Sequence, residues 1–226
     1  MTRLLRCAAL VLGGVLAAST AMAYGLNITA TGDDFTFVSS NGGAYYGGAN
    51  WDNWHYADVF GFSLAPGEER NLVFHVHDHW GLNGDENPGA FLAQLDIAPG
   101  SGLMWETGGA TLLTNTNDWL YALSDPLAGP ATWYTPHSGW ASSRPMTSGV
   151  QTNAASIWKH TNGGPIAGIA DDAQWIWSLE NFTVEAPTDV WFKLNRSVAP
   201  VPETGSGWLV GFGLAGLVVV GGARRK

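Results

Sequence analysis

Residues 71–77 read NLVFHVH, and this stretch decides the fold class. Its apolar side chains Leu72, Phe74 and Val76 recur at every second position, and two histidines follow the same spacing between and after them. A period of two residues places the apolar set on one face of a β-strand and the histidines on the other. One buried face and one polar face indicate a sheet that packs on a core.

Short segments of the same kind recur along the chain. Clusters of glycine, asparagine, aspartate and proline separate them, and no stretch has a sustained apolar pattern at helical spacing. We therefore predict an all-β chain that forms a β-sandwich or jelly roll with long Trp-rich loops. The predicted strands are 26–31, 35–39, 59–64, 71–77, 90–97, 182–185 and 190–194, the last two joined as a hairpin.

Tryptophan is unusually frequent, with 12 in 226 residues. The alternating pattern weakens between residues 101 and 173, so we predict that the tryptophans of this region lie in loops. Trp175 and Trp177 alternate on a predicted strand, and we assign both to the core together with Trp191.

The first 23 residues have the organisation of a secretory signal peptide: two arginines, an apolar stretch over residues 7–18, and the small-residue site Ala21-Met22-Ala23. We expect export through the Sec translocon and cleavage by signal peptidase, which leaves one domain over residues 24–200. Cys7 is the sole cysteine and is removed with this segment. The domain therefore has no disulfide, cysteine nucleophile or thiolate metal site.

The last 26 residues, 201–226, read VPETGSGWLVGFGLAGLVVVGGARRK. A short motif (Val201, Pro202, Glu203, Thr204) precedes an apolar run over residues 208–223 and three terminal cations. This pattern predicts a transmembrane helix whose cations stay on one side of the bilayer. The run is shorter than the roughly 20 residues that span hydrocarbon, which favours a transient anchor that is removed by processing.

These three features, in this order, resemble the PEP-CTERM sorting signal of envelope proteins in Gram-negative bacteria. The resemblance implies recognition by an exosortase near Pro202 and Glu203. It also implies transient anchoring in the inner membrane and a final location in the cell envelope, at the outer surface or in the extracellular matrix, where the mature protein is either anchored or released. Two alternatives stay open: a sortase signal of the LPXTG type with valine in the first position, and an ordinary single-pass anchor.

The 24–200 domain is acidic, with 18 Asp and Glu against 5 Lys and Arg, a net charge of −13. Nucleic acid is excluded as a partner because its binding requires a basic face. The same charge argues against an anionic lipid surface and suits an extracytoplasmic domain that binds divalent cations.

Residues 26–97 combine an Asp-Asp-Phe-Thr strand, an Asn-Gly turn, the aromatic loop NWDNW and a strand that ends in Leu-x-Pro-Gly. This order is similar to galactose-binding-like jelly-roll domains of secreted bacterial proteins. The resemblance implies the jelly-roll fold, and it carries no invariant catalytic residues.

Two patterns suggest metal ions. His75, His77 and His79 share one face of the predicted strand, and imidazoles at this spacing can converge on zinc or copper. The following glycine-rich loop offers the hard oxygen ligands that calcium prefers, from Asn83, Asp85, Glu86 and Asn87. The alternatives are a polar strand face for the histidines and an acidic surface turn for the loop.

Two tryptophan clusters suggest carbohydrate. Flat aromatic rings stack on the apolar faces of sugars, and neighbouring amide and imidazole groups hydrogen-bond the hydroxyls. The first candidate site comprises Asn50, Trp51, Asn53, Trp54 and His55, and the second comprises Trp133, His137 and Trp140. The alternative is that most of these tryptophans are structural.

An enzyme is the competing class. Asp78, Asp96, Glu106 and Asp118 are available as paired carboxylates for glycoside hydrolysis, but no catalytic motif accompanies them. We therefore predict an exported, non-enzymatic surface or matrix protein that binds carbohydrate, such as an exopolysaccharide. The alternatives are a structural matrix protein without a specific ligand, and a metal-dependent or carbohydrate-active enzyme.

Overall fold

The computed structural model describes residues 23–78, 89–126, 139–156, 164–178 and 188–202. Regular structure in this part of the chain consists of β-strands and two short 3-10 helices, Glu68–Asn71 and Asn153–Ala155. In chain order the strands are β1 (Tyr24–Gly32), β2 (Phe35–Ser39), β3 (Tyr46–Gly47), β4 (Asp58–Leu64), β5 (Val73–His77), β6 (Phe91–Ile97), β7 (Leu103–Trp105), β8 (Thr111–Leu113), β9 (Trp119–Ala122), β10 (Ala141–Ser142), β11 (Arg144–Pro145), β12 (Ile176–Trp177), β13 (Asp189–Leu194) and β14 (Val198–Pro200).

The strands form two main antiparallel sheets. The first sheet has the order β11-β12-β6-β1-β4, with β8 also paired to β6, and the second has the order β10-β9-β13-β5-β2-β3. A small third sheet pairs β14 with β7. The prediction of an all-β, sandwich-like chain is confirmed at this level.

The core lies between the two main sheets. Phe91 of the first sheet contacts three aromatic rings of the second, at centroid distances of 5.2 Å to Phe74, 4.9 Å to Phe192 and 5.4 Å to Trp119. All four side chains are fully buried. Burying each such ring contributes about 1.5–3 kcal/mol, so these contacts hold the two layers together.

Residues 71–77 have the predicted alternation of buried and partly exposed side chains. Leu72, Phe74 and Val76 have no solvent exposure, whereas His75 and His77 are half-buried on the opposite face. The other predicted strands also coincide with observed ones, except 182–185, which lies outside the described residues. The prediction of a hairpin at 190–194 is wrong, because β13 is paired with β5 along one edge and with β9 along the other, which leaves no edge for a hairpin partner.

The prediction that tryptophans between residues 101 and 173 lie in loops is wrong for two of them. Trp105 ends β7 and Trp119 begins β9, and both are fully buried. Each indole Nε1 donates a hydrogen bond to a backbone carbonyl, of Ala110 and Leu113 respectively. These strands are only three and four residues long, too short to produce a recognisable alternation in the sequence.

A buried carboxylate connects the first and last strands of the described chain. Glu69 accepts hydrogen bonds from the Tyr24 hydroxyl, the Gly67 backbone N–H and the Val198 backbone N–H. Tyr24 begins β1 and Val198 begins β14. Because a charged acceptor strengthens each hydrogen bond, this residue ties together elements that are far apart in sequence.

The predicted signal peptide and the apolar tail run lie outside the described residues. Within the described ranges, no helix has the length and apolar character needed to cross a bilayer.

Candidate functional site

The outer face of the second sheet, turned away from the core, carries a cluster of aromatic and polar side chains. The antiparallel register of β2, β5 and β13 assembles it. In one row Phe37 lies opposite His75, which lies opposite Trp191. In the next row Phe35 lies opposite His77, which lies opposite Asp189. Directly opposite side chains are within contact distance, so the two rows form one continuous surface.

An open groove of about 280 Å³ runs over this surface. We call it the aromatic groove, and its lining residues are Phe35, Phe37, Trp51, His75 and His77. All five lining side chains are aromatic rings: two phenyl rings, one indole and two imidazoles.

Trp51 comes from the loop that follows β3 and covers one side of the aromatic groove. Its ring lies 5.2 Å from Phe35 and 5.4 Å from Phe37, centroid to centroid, and 40% of the residue is exposed. It packs directly on Gly47, where an added Cβ would lie 2.7 Å from the Trp51 Cβ. Glycine at this position therefore allows the indole to approach the sheet.

The opposite side of the groove is a stack of rings. His75 stacks on Trp191 with a centroid distance of 4.7 Å and an interplanar angle of 6°, and on Phe37 at 5.8 Å and 22°. The assignment of Trp191 to the core is wrong, because Val190, Phe192 and Leu194 of β13 face inward and Trp191 faces outward. Trp175 and Trp177 are fully buried, as predicted.

Asp189 positions both histidines of the groove. One carboxylate oxygen, Oδ1, lies 2.7 Å from His75 Nε2 and 2.9 Å from His77 Nδ1. Burial alone would raise the pKa of Asp189, but the hydrogen bonds from His75 and His77 outweigh it, so that the pKa lies below its usual value. Asp189 is therefore ionised at neutral pH.

Tyr45 borders the same stack. Its ring centroid lies 5.7 Å from that of His75, and its hydroxyl donates a 2.9 Å hydrogen bond to Asp125 Oδ1. Burial and the neighbouring Asp125 carboxylate raise the pKa of Tyr45 well above its ordinary value, so the phenol stays protonated.

The structure divides the first predicted carbohydrate site. Trp51 lines the groove, whereas Trp54 packs against the core and stacks on His55 at 4.0 Å. Asn50 and Asn53 shape the loop: the Asn50 backbone N–H donates to Asp58, and Asn53 Oδ1 accepts from the His55 backbone N–H. The groove thus joins Trp51 with His75 and His77, which the sequence analysis placed in separate sites.

Of the second predicted cluster, Trp140 is described and lies under the Lys193 ammonium, with Nζ 4.6 Å from the ring centroid. In the sorting motif, Val201 and Pro202 are exposed, and the Val201 backbone N–H donates to the Gly102 carbonyl. The remaining predicted site residues lie outside the described residues: Trp133, His137, His79, Asn83, Asp85, Glu86, Asn87, Glu203 and Thr204.

Across the five described ranges, no group of three histidine, aspartate or glutamate side chains is arranged to hold a metal ion. His75 and His77 do share one face, as predicted, but their close partner there is Asp189.

The carboxylates considered for hydrolysis have other partners. Asp96 accepts from Thr111 and Gln94, Asp118 pairs with Arg196, and Glu106 accepts from Ser197. Asp78 is buried at the end of β5. The hydrogen bonds described for Asp96, Asp118 and Glu106 do not connect any two of these carboxylates.

Sequence reasoning missed Phe35, Phe37, Tyr45 and Asp189. The strand 35–39 reads FTFVS, and its two phenylalanines resemble core residues because they alternate with Thr36 and Val38, which are the side chains that are actually buried. A pairing of this strand with β5 would have placed both phenylalanines beside the histidines.

Comparison with known protein families, curated proteins and solved structures gave no match to this chain.

Proposed function

We propose that this protein is an exported, non-enzymatic surface or matrix protein that binds carbohydrate in the aromatic groove. The observation that supports this function is the set of five rings that line an open groove on the outer face of the second sheet. A contiguous apolar surface that is partly exposed and rimmed by polar residues is typical of a ligand-binding groove.

Carbohydrate suits the groove better than a purely apolar ligand. Aromatic rings offer apolar surface to the C–H groups of a pyranose, and the adjoining imidazoles and carboxylate offer hydrogen bonds to its hydroxyls. The volume of about 280 Å³ is near the lower end of small-molecule sites, at roughly 300 Å³. The groove is open to solvent, so a longer glycan chain could continue beyond it over the surface.

The proposed destination is the cell envelope or the extracellular matrix. It is supported by the two terminal segments of the sequence, with an exosortase as the processing enzyme and the inner membrane as a transient anchor. The jelly-roll topology of galactose-binding-like domains and a calcium ion in the 83–87 loop belong to the same proposal. An exopolysaccharide of the matrix is the corresponding ligand.

Polysaccharide affinity electrophoresis tests the proposed function with Trp51→Ala. Loss of the indole removes one side of the groove, and we expect about tenfold weaker binding, equivalent to about 1.4 kcal/mol. Tyr56→Ala is the matched control, because Tyr56 is an exposed aromatic residue in the same loop but does not line the groove. Circular dichroism verifies that both variants fold.

Unchanged binding in Trp51→Ala would refute this site. A protein that binds no polymer but assembles into stable multimers would favour the structural matrix alternative.

Mass spectrometry of the mature C-terminus tests the sorting proposal. A terminus near Pro202 and Glu203 agrees with an exosortase, and a terminus at Thr204 agrees with a sortase. An intact Lys226 would contradict both processing routes and leave the single-pass anchor.

A further inference from the structure

The hydrogen bonds to Asp189 determine the proton positions on both groove histidines. An ionised carboxylate can only accept hydrogen bonds, so each nitrogen within reach of Asp189 Oδ1 must carry the proton. His75 therefore holds its proton on Nε2 and His77 on Nδ1. In its neutral form, the His75 imidazole keeps a lone pair on Nδ1.

Asp189 places a negative charge on the groove side formed by β5 and β13. Asp189 contributes one charge and is 39% exposed, so it is accessible to a bound molecule. A second carboxylate, Asp125, accepts a hydrogen bond from the hydroxyl of Tyr45, whose ring lies 5.7 Å from that of His75. On β13 the cation is Lys193, and its ammonium lies over the Trp140 ring, 4.6 Å from the centroid. The net charge of the domain has the same sign as that of the groove.

We infer that the aromatic groove selects uncharged glycans over acidic ones, and that Asp189 is the residue that determines this specificity. The inference rests on the proposed function, since it concerns the ligand of the same groove. A sugar hydroxyl can donate to the carboxylate or to an imidazole lone pair. A uronate or sulfate group can donate to neither and is repelled by Asp189, because like charges at close range are unfavourable.

Two pairs of polymers with matched backbones test the inference. Hydroxyethylcellulose is uncharged and carboxymethylcellulose is anionic, and agarose and carrageenan form a similar pair of galactans. Binding is measured by affinity electrophoresis at pH 8. For whichever pair the wild-type protein binds, we expect its affinity for the uncharged polymer to be at least about tenfold higher than its affinity for the anionic one.

Asp189→Asn tests the assigned residue, because it removes the charge and keeps the shape. We expect its preference for the uncharged polymer to fall about tenfold relative to the wild-type protein. Asp172→Asn is the matched control, since it removes one exposed carboxylate that does not line the groove and should leave the preference unchanged.

A salt titration of the wild-type protein gives a second measurement that does not depend on how the variant folds. Exposed charges are screened over about 8–10 Å near physiological salt and over about 3 Å at 1 M. We expect the preference for the uncharged polymer to shrink as the sodium chloride concentration rises from about 0.02 M to about 1 M, because screening weakens the repulsion by Asp189.

The outcomes separate the two proposals. If Trp51→Ala weakens binding as expected but the wild-type protein binds both members of a pair equally at low salt, the specificity inference is wrong and the binding site stands. If Asp189→Asn folds and keeps the wild-type preference, Asp189 is not the selecting residue. If no polymer binds the wild-type protein, both proposals fail.

Discussion

The two faces of the second sheet are both rich in aromatic rings, but only the inner face is fully buried. On the inner face, Phe74 and Phe192 have no solvent exposure, because Phe91 of the first sheet packs on them. On the outer face, Phe37 of β2 and Trp191 of β13 remain half-buried, although β13 also carries Phe192 and β2 pairs with the strand of Phe74. Hydrophobicity of the side chains therefore does not decide their burial; the presence of a second layer does.

The faces also differ in chemistry. The inward positions of β5 and β13 are all apolar, whereas the outward positions include His75, His77, Asp189 and Lys193. The desolvation cost of an ionisable group is smaller where solvent reaches it. The inner face therefore contributes to stability, and the outer face carries the proposed binding surface.

The largest expected effect comes from one substitution made on each face. Phe74→Ala should destabilise the protein by about 3–5 kcal/mol, because it leaves a cavity between the sheets. Phe37→Ala should cost less, about 1–2 kcal/mol, because its ring is partly exposed and its loss leaves no enclosed cavity. Urea unfolding measures both, and glycan affinity should fall for Phe37→Ala only. Equal costs for the two variants would contradict the distinction between the faces.

A smaller effect is expected from Gly47→Ala, which displaces Trp51 without altering its ring. The new Cβ would lie 2.7 Å from the Trp51 Cβ, and such overpacking costs about 1–3 kcal/mol. Glycan affinity should fall nearly as far as in Trp51→Ala. In the control Gly61→Ala, the added Cβ meets only Asn27 Oδ1 at 4.0 Å, so affinity should not change. Full affinity in Gly47→Ala would show that the position of Trp51 is unimportant.

The acid stability of the outer face provides a third test. The folded pKa of Asp189 lies below its usual value of about 3.9, so Asp189 contributes stability above that pH and loses it as pH falls through the folded pKa. The contribution should be under about 1 kcal/mol, since the carboxylate is partly exposed and screened. Thermal unfolding between pH 7 and pH 2 should show the wild-type advantage over Asp189→Asn shrinking in acid. An advantage that grows in acid would reverse the sign assigned to this carboxylate.

The smallest effect is expected from Lys193→Met. Its ammonium lies over the Trp140 ring, and an exposed cation–π contact contributes about 0.5 kcal/mol. Thermal unfolding should show this small loss, while neutral-glycan binding should stay the same because Lys193 does not line the groove. A clear change in glycan affinity would extend the binding face toward Trp140.

The fold class was accessible from the sequence because alternation reports one buried face wherever a strand is long enough. Strands β1, β5 and β13 meet this condition, with five to nine residues each. The short strands β7 and β9 do not, and the tryptophans on them were assigned to loops for that reason. The candidate site could be predicted only in part. The sequence assigned Trp51 to a carbohydrate site and His75 and His77 to a metal site, and nothing in it placed the three together.

The sequence by itself determined which side chains share a face of each strand, since the period of two is a property of the extended backbone. It also determined the acidic charge and the absence of cysteine from the 24–200 domain. Only the tertiary structure decided that β2, β5 and β13 are neighbours, and in which register. That pairing joins residues more than a hundred positions apart, such as His75 and Asp189, and no local pattern encodes a contact of this range. The groove exists because long-range strand pairing brings an aspartate, two histidines and three aromatic residues to one surface.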